Sequence, residues 1–152
     1  MSIHVTSNQQ ETELLGYQLA SLLNYQDYPI VILDGPLAAG KTTFTKGIAK
    51  ALDITKMINS PSYTLMKSYQ SEDKTKQLYH LDLYRMNKNN QDYDLEEYIN
   101  AEAFTVIEWP FQVPQLLPEH YVKVTLKVTS ELIREIEITC HAPYCVNLEQ
   151  KR

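Results

Sequence analysis

Pro29-Ile30-Val31-Ile32-Leu33-Asp34-Gly35-Pro36-Leu37-Ala38-Ala39-Gly40-Lys41-Thr42 is the stretch that decides the fold. Its first six residues are a continuous apolar run rich in β-branched side chains and closed by an acid, the pattern of a strand buried on both faces of a parallel sheet. Glycine follows at once. From Lys41 to Leu52 the apolar residues Phe44, Ile48, Ala49 and Leu52 recur at helical spacing. The order is strand, glycine turn, helix, and Gly35 to Thr42 matches the Walker A pattern in that context. In this pattern main-chain N–H groups wrap phosphate oxygens while the following helix directs its positive end at them. Gly40 lets the main chain come close to the phosphates, Lys41 places a point charge at the β- and γ-phosphates, and Thr42 offers a hydroxyl to Mg²⁺, with Thr43 able to bond a phosphate as well. The bland reading of the same residues, a strand-to-helix turn with an exposed lysine, leaves the succession Gly40-Lys41-Thr42 unexplained.

Upstream, a short strand starts near Ile3, and Asn8 and Glu11 stand three apart like a capping box ahead of Leu14, Leu15, Leu19, Leu22 and Leu23, which predicts an amphipathic helix. Downstream, Ser62 to Tyr69, Gln77 to Tyr84 and Phe104 to Glu108 read as strands and Asp94 to Asn100 as a short helix. Lys88 to Asp92 is polar and reads as a surface loop. Val122, Val124, Leu126 and Val128 alternate with polar residues, and Ile136 and Ile138 alternate again, which predicts an antiparallel hairpin with one wet face. The expected architecture is an α/β fold with a mixed, mostly parallel central sheet flanked by helices and an antiparallel C-terminal hairpin. At 152 residues, with no internal repeat or linker, residues 1–152 are expected to form one domain.

The bulk numbers exclude several classes. No apolar run approaches the roughly 20 residues of a membrane span, and Met1 to Gln10 lacks the features of a signal peptide, so a cytoplasmic protein is expected. A net charge of −5 argues against autonomous binding to a phosphate backbone, which needs clustered Lys and Arg; any nucleic acid is expected to be held by a partner. With only two cysteines, Cys140 and Cys145, reduced thiols are expected rather than a disulfide.

A phosphate loop of this kind needs an acid from a neighbouring strand end to hold Mg²⁺ or orient water. Asp34 lies immediately before the loop, so its own strand is the wrong one. Glu108 closes Phe104-Thr105-Val106-Ile107, and Asp82 lies in His80-Leu81-Asp82-Leu83-Tyr84. Either carboxylate fits the task. His80 reads more readily as a packed, hydrogen-bonded histidine than as a proton shuttle. Arg85, Arg134 and Arg152 are the only arginines, which limits the cations available to a phosphate.

The loop together with Ser60-Pro61-Ser62-Tyr63-Thr64-Leu65, His80-Leu81-Asp82-Leu83-Tyr84-Arg85, Leu95-Glu96-Glu97-Tyr98 and Ile107-Glu108-Trp109-Pro110 resembles the TsaE family of bacterial tRNA-threonylcarbamoylation factors, in order and in spacing. The resemblance runs from about Thr12 to Arg134. It implies a P-loop fold; ATP held by Gly35, Leu37, Ala38, Ala39, Gly40, Lys41, Thr42 and Thr43; Mg²⁺ held by Thr42 and Glu108; and catalysis by Lys41, Asp82 and Glu108. It also implies Thr12 and Arg134 near the nucleotide base, and Ser60, Ser62 and Tyr63 in a switch-like loop near the γ-phosphate. A weak ATPase working with the TsaB and TsaD proteins is implied, with tRNA met only through that complex. The chain departs from the family pattern at Pro36 and Ala38, where an acid and a glycine are usual, at Ser62, which replaces threonine, and at Asp94, which replaces glycine. Ala38 matters most, because a methyl group where the family has glycine, the residue that tolerates positive φ, is expected to narrow the loop or tighten its approach to the β-phosphate and so shift nucleotide affinity from the family's norm. The competing readings are a small-molecule or nucleotide kinase, disfavoured by the scarcity of arginines for a lid, and a nucleotide-gated interaction module. A guanine-specific reading is weaker, since Asn87-Lys88-Asn89-Asn90 lacks the acid that would meet the base.

Overall fold

The computed structural model describes residues 1–36, 38–60, 66–82, 101–108 and 118–145. The expected helix at Asp94 to Asn100, the loop at Lys88 to Asp92, and Leu37, Ser62, Tyr63, Arg85, Glu96, Glu97 and Trp109 lie outside the described residues.

Strand β1 (Ser2–Thr6) leads into helix α1 (Gln9–Leu22), whose start is set by side-chain chemistry. Asn8 accepts a hydrogen bond from the Glu11 N–H at 2.8 Å, and the Glu11 carboxylate in turn accepts one from the Ser7 N–H at 2.8 Å. This is the expected capping box with its return bond made one residue earlier. Strand β2 (Ile30–Asp34) and helix α2 (Lys41–Ala51) flank the glycine loop. Then come β3 (Met66–Gln70), β4 (Gln77–Asp82), β5 (Phe104–Glu108), β6 (Tyr121–Val128) and β7 (Arg134–His141).

These strands form one seven-stranded sheet in the order β1-β7-β6-β2-β5-β4-β3. The centre, β4-β5-β2-β6, is parallel, whereas β1-β7, β7-β6 and β4-β3 are antiparallel, so the sheet is mixed as expected. Alternation explains which face each residue takes. Val31, Leu33, Phe104, Val106, Leu78, Val124, Leu126 and Ile136 pack with Leu15, Leu19, Phe44 and Ile48 of the two helices. The intervening Ile32, Leu81 and Ile107 are buried too, as strands covered on both faces require. In β6 the buried Val122, Val124 and Leu126 alternate with half-exposed Tyr121, Lys123 and Thr125, the one-wet-face hairpin anticipated from the sequence.

Register brings three strand ends level. Leu33 of β2 pairs with Glu108 of β5, and Glu108 pairs with Asp82 of β4. The glycine loop leaves β2 one residue beyond this line, at the carboxyl edge of the parallel strands, where ligand crevices form in open α/β sheets.

The cysteine expectation is corrected. Cys140 and Cys145 are joined as a disulfide, with Cα atoms 6.2 Å apart. A short 3₁₀ turn at Pro143–Cys145 folds the chain back on the end of β7, a local return that a cysteine count does not register.

Helices α1 and α2 cross backbone to backbone. A Cβ on Gly47 would fall on the Glu13 carbonyl oxygen, and one on Gly16 on the Phe44 carbonyl. Gly47→Ala should lower stability to urea by about 1–3 kcal/mol through overpacking. The clash would outweigh the roughly 1 kcal/mol that alanine gains in helix propensity; an unchanged or raised unfolding midpoint would contradict the close crossing.

Candidate functional site

Local geometry makes the loop that follows β2. Gly35 and Gly40 have φ of 159° and 104°; Gly40 is the N-cap of α2 at ψ 18°, a conformation that side chains rarely adopt, and it makes no side-chain capping bond. Ala38 has φ 63°, so the position does require the left-handed region, and here an alanine occupies it at a cost of about 1–2 kcal/mol. The Ala39 N–H closes a turn on the Pro36 carbonyl at 3.2 Å. The Phe44 N–H makes the first intrahelical bond, to the Gly40 carbonyl at 2.8 Å. The N–H groups of Thr42 and Thr43 precede it and have no carbonyl four residues back within the helix. The first turn of α2 thus presents main-chain donors and the positive end of a helix dipole.

This turn opens onto a cleft of about 490 Å³ lined by Thr12, Ala38, Ala39, Gly40, Lys41, Thr42, Thr43, Ser60, Glu108 and Arg134, together with Asn8, Gln9, Glu131 and Leu132. Of the residues singled out from the sequence, Gly35 shapes the loop from behind and Asp82 lies beside Glu108 in the sheet; neither lines the cleft. Thr12 is buried and contributes its wall, sharing a 2.7 Å hydrogen bond with Thr6. A Cβ built on Gly40 would lie 3.5 Å from the Thr12 methyl, which places Thr12 directly behind the loop. Asn8, Gln9, Glu131 and Leu132 were missed. Asn8 carried a signal, as the cap of α1, but nothing local in sequence says that this cap faces the glycine loop.

Lys41 bonds the Gly35 carbonyl at 2.9 Å through its ammonium, folding back across the loop. Burial lowers its pKa below the ordinary lysine value, while the charges of Glu108, Asp82 and Asp34 work in the opposite direction. One buried cation therefore stands among three carboxylates, at a helix N-terminus.

Glu108 is almost wholly buried, and its Oε2 accepts a hydrogen bond of 2.8 Å from His80 Nε2. His80 is fully buried and its Nδ1 has no partner among the described residues. An unmet lone pair costs less than an unmet N–H, so this arrangement favours the tautomer with its hydrogen on Nε2. The sequence reading of His80 as a packed, hydrogen-bonded histidine is met, and its partner is the carboxylate at the end of the neighbouring strand. Among the described residues no cluster of three or more His, Cys, Asp or Glu is arranged to hold a metal by itself, so any cation here would need ligand oxygens besides protein carboxylates.

With this geometry in hand, comparison with known proteins assigns the chain. The family described as threonylcarbamoyl adenosine biosynthesis protein TsaE matches residues 6–136. A protein of Bacillus subtilis (strain 168) named tRNA threonylcarbamoyladenosine biosynthesis protein TsaE is 37% identical over 134 residues, covering 88% of this chain and 82% of its own length. Proteins of the same name from Treponema pallidum (36% identical; 88% of this chain, 97% of the relative) and Synechocystis (42%; 69% and 68%) are similar too. The crystal structure of Bacillus subtilis YdiB superposes with a TM-score of 0.79 at 30% identity, over 98% of this chain and 92% of that one. The chain belongs to the TsaE family.

The buried pair generates a measurable expectation. His80→Leu strands the Glu108 carboxyl without its donor and should cost about 2–3 kcal/mol in urea unfolding. His80→Gln, which keeps an N–H at similar reach, should recover part of that loss; equal losses in the two variants would show that the bond is not what His80 contributes.

Proposed function

We propose that this chain binds ATP with Mg²⁺ in the cleft and hydrolyses it slowly, in support of the threonylcarbamoylation of tRNA adenosine beside the anticodon. The observation that carries the reading is the first turn of α2, which has no side-chain cap, follows a left-handed Gly40, and opens onto a cleft containing Lys41 and Glu108. A cleft of about 490 Å³ lies in the usual range for small-molecule sites, roughly 300–1,000 Å³, and is of nucleotide size.

Each group then has a task. The N–H donors at the start of α2 receive phosphate oxygens. The Lys41 ammonium has three N–H donors; one holds the Gly35 carbonyl, and the charge stands in the cleft wall where β- and γ-oxygens would be received. Burial makes that cation gain more from an incoming polyanion than a fully hydrated one would. Thr42 and Glu108 supply a hydroxyl and a carboxylate to Mg²⁺, the small protein share expected when phosphates complete its shell. The metal's contribution, when bound, is to neutralise charge on the phosphate oxygens. His80 keeps one Glu108 oxygen engaged and so orients the carboxyl. Asp82, level with Glu108 on the next strand though not in the cleft wall, is assigned to the catalytic or metal-supporting group.

By likeness to relatives named for tRNA threonylcarbamoyladenosine biosynthesis, the working partners are the TsaD and TsaB proteins, and tRNA is met only through that complex. Among the described residues no helix is long and apolar enough to cross a membrane, and a cytoplasmic setting fits this reading.

Phosphate release from Mg-ATP, measured alone and with TsaB and TsaD, tests the proposal. We expect slow release alone, stimulation by the partners, and loss of both nucleotide binding and turnover in Lys41→Ala. Unchanged ATP affinity in Lys41→Ala would refute the site; transfer of phosphate to an organic acceptor in place of release would make the chain a kinase.

A further inference from the structure

Arg134 opens β7, and its guanidinium reaches across to the glycine loop. Its Nε–H donates to the Ala39 carbonyl at 3.2 Å and an Nη2–H to the Ala38 carbonyl at 3.3 Å. The two N–H of Nη1 are shared among the carbonyls of Ser130, Glu131 and Ile133, each at 3.2 Å. The acceptors belong to two walls of one cleft, with Ala38 and Ala39 on the loop side and the turn bearing Glu131 and Leu132 on the other. A single planar cation fastens these walls together. Lysine, a compact point charge without the fork, lacks the geometry to do the same.

Peptide geometry supplies the consequence. In a trans peptide the C=O and the following N–H point in opposite directions. Holding the Ala39 carbonyl on Arg134 therefore turns the Gly40 N–H away from the guanidinium, and holding the Ala38 carbonyl does the same to the Ala39 N–H, which closes on Pro36. The clamp also acts where the backbone most needs one. Ala38 sits at φ 63°, and a non-glycine residue stays in that region only when its surroundings over-determine it.

We propose that Arg134 is a positioning residue for phosphate binding: through the carbonyls of Ala38 and Ala39 it holds the glycine loop in its phosphate-receiving form, and it acts on the triphosphate common to all nucleotides rather than on the base. The inference rests on the nucleotide reading above and deepens it. It assigns Arg134 a role beyond proximity to the base, and it explains how this chain keeps an alanine at a position suited to glycine.

Arg134→Lys and Arg134→Gln test it by two measurements. The first is amide hydrogen exchange of the ligand-free protein, where exchange at Ala39 and Gly40 should be faster than in the unmodified chain while β6 and β7 keep their protection. The second is affinity for Mg-ATP, Mg-GTP and inorganic triphosphate, where every ligand that the unmodified chain binds should weaken by the same factor, about tenfold for charge-assisted bonds lost, and lysine should not rescue. A loss confined to ATP, with triphosphate affinity intact, would make Arg134 a base contact and overturn the proposal. Unchanged exchange at Ala39, or faster exchange spread evenly through β6 and β7, would overturn it as well. If the unmodified chain binds none of the three ligands, the nucleotide reading fails, and the exchange measurement alone then decides the clamp.

Discussion

Strand β2 is hydrogen-bonded in parallel on both sides, to β5 through Ile30–Leu33 and to β6 through Val31–Asp34, and the rest of the molecule depends on that double pairing. Neither edge of β2 is left to water, so the chain leaving it at Gly35 begins from a rigid point. The loop inherits that rigidity, and α2 is aimed by it. The same register sets Glu108 and Asp82 level with the end of β2, so that two carboxylates and one lysine converge without any long loop having to position them. Helix α1 is held to α2 by the backbone contact at Gly16 and Gly47, and this brings Thr12 and the cap at Asn8 to the same cleft.

The polar groups at this edge are costly to the fold taken alone. Lys41, His80, Asp82 and Glu108 are all buried, and a protein optimised only for stability would place apolar side chains there. The cost is contained by specific bonds: His80 to Glu108, and Lys41 to the Gly35 carbonyl. The positive φ at Ala38 is a second local expense at the same place. Strain and buried charge gathered at one loop are features the proposed polyanion site would use, since preformed donors bind without rearranging.

Much of this was legible in the sequence because it is local. The apolar run Ile30–Leu33 is a strand in either representation, since burial on both faces needs no more than consecutive apolar side chains. The helix from Lys41, the capping Asn8 and the β6-β7 hairpin follow from spacings of two to four residues. Lys41, Thr42 and Glu108, which line the cleft, were nameable as candidates because their types stand at the ends of readable elements. Glu131 and Leu132 were not, because their turn, Thr129 to Ile133, mixes polar and apolar residues without a period and enters the cleft only through the order of strands. The disulfide between Cys140 and Cys145 escaped for a related reason: composition speaks to compartment, whereas the bond depends on a 3₁₀ turn that reverses the chain.

The sequence by itself determined the succession of elements, the glycine loop between β2 and α2, and the chemical types set around it, because hydrogen bonding along a helix or turn and the periodicity of burial act over a few residues. Tertiary structure alone decided the strand order β1-β7-β6-β2-β5-β4-β3, the closure of His80 on Glu108 across 28 residues of chain, and the clasp of Arg134 on Ala39 across 95. Those pairings are set by which strands lie side by side in the sheet, and no local pattern in the sequence encodes that choice.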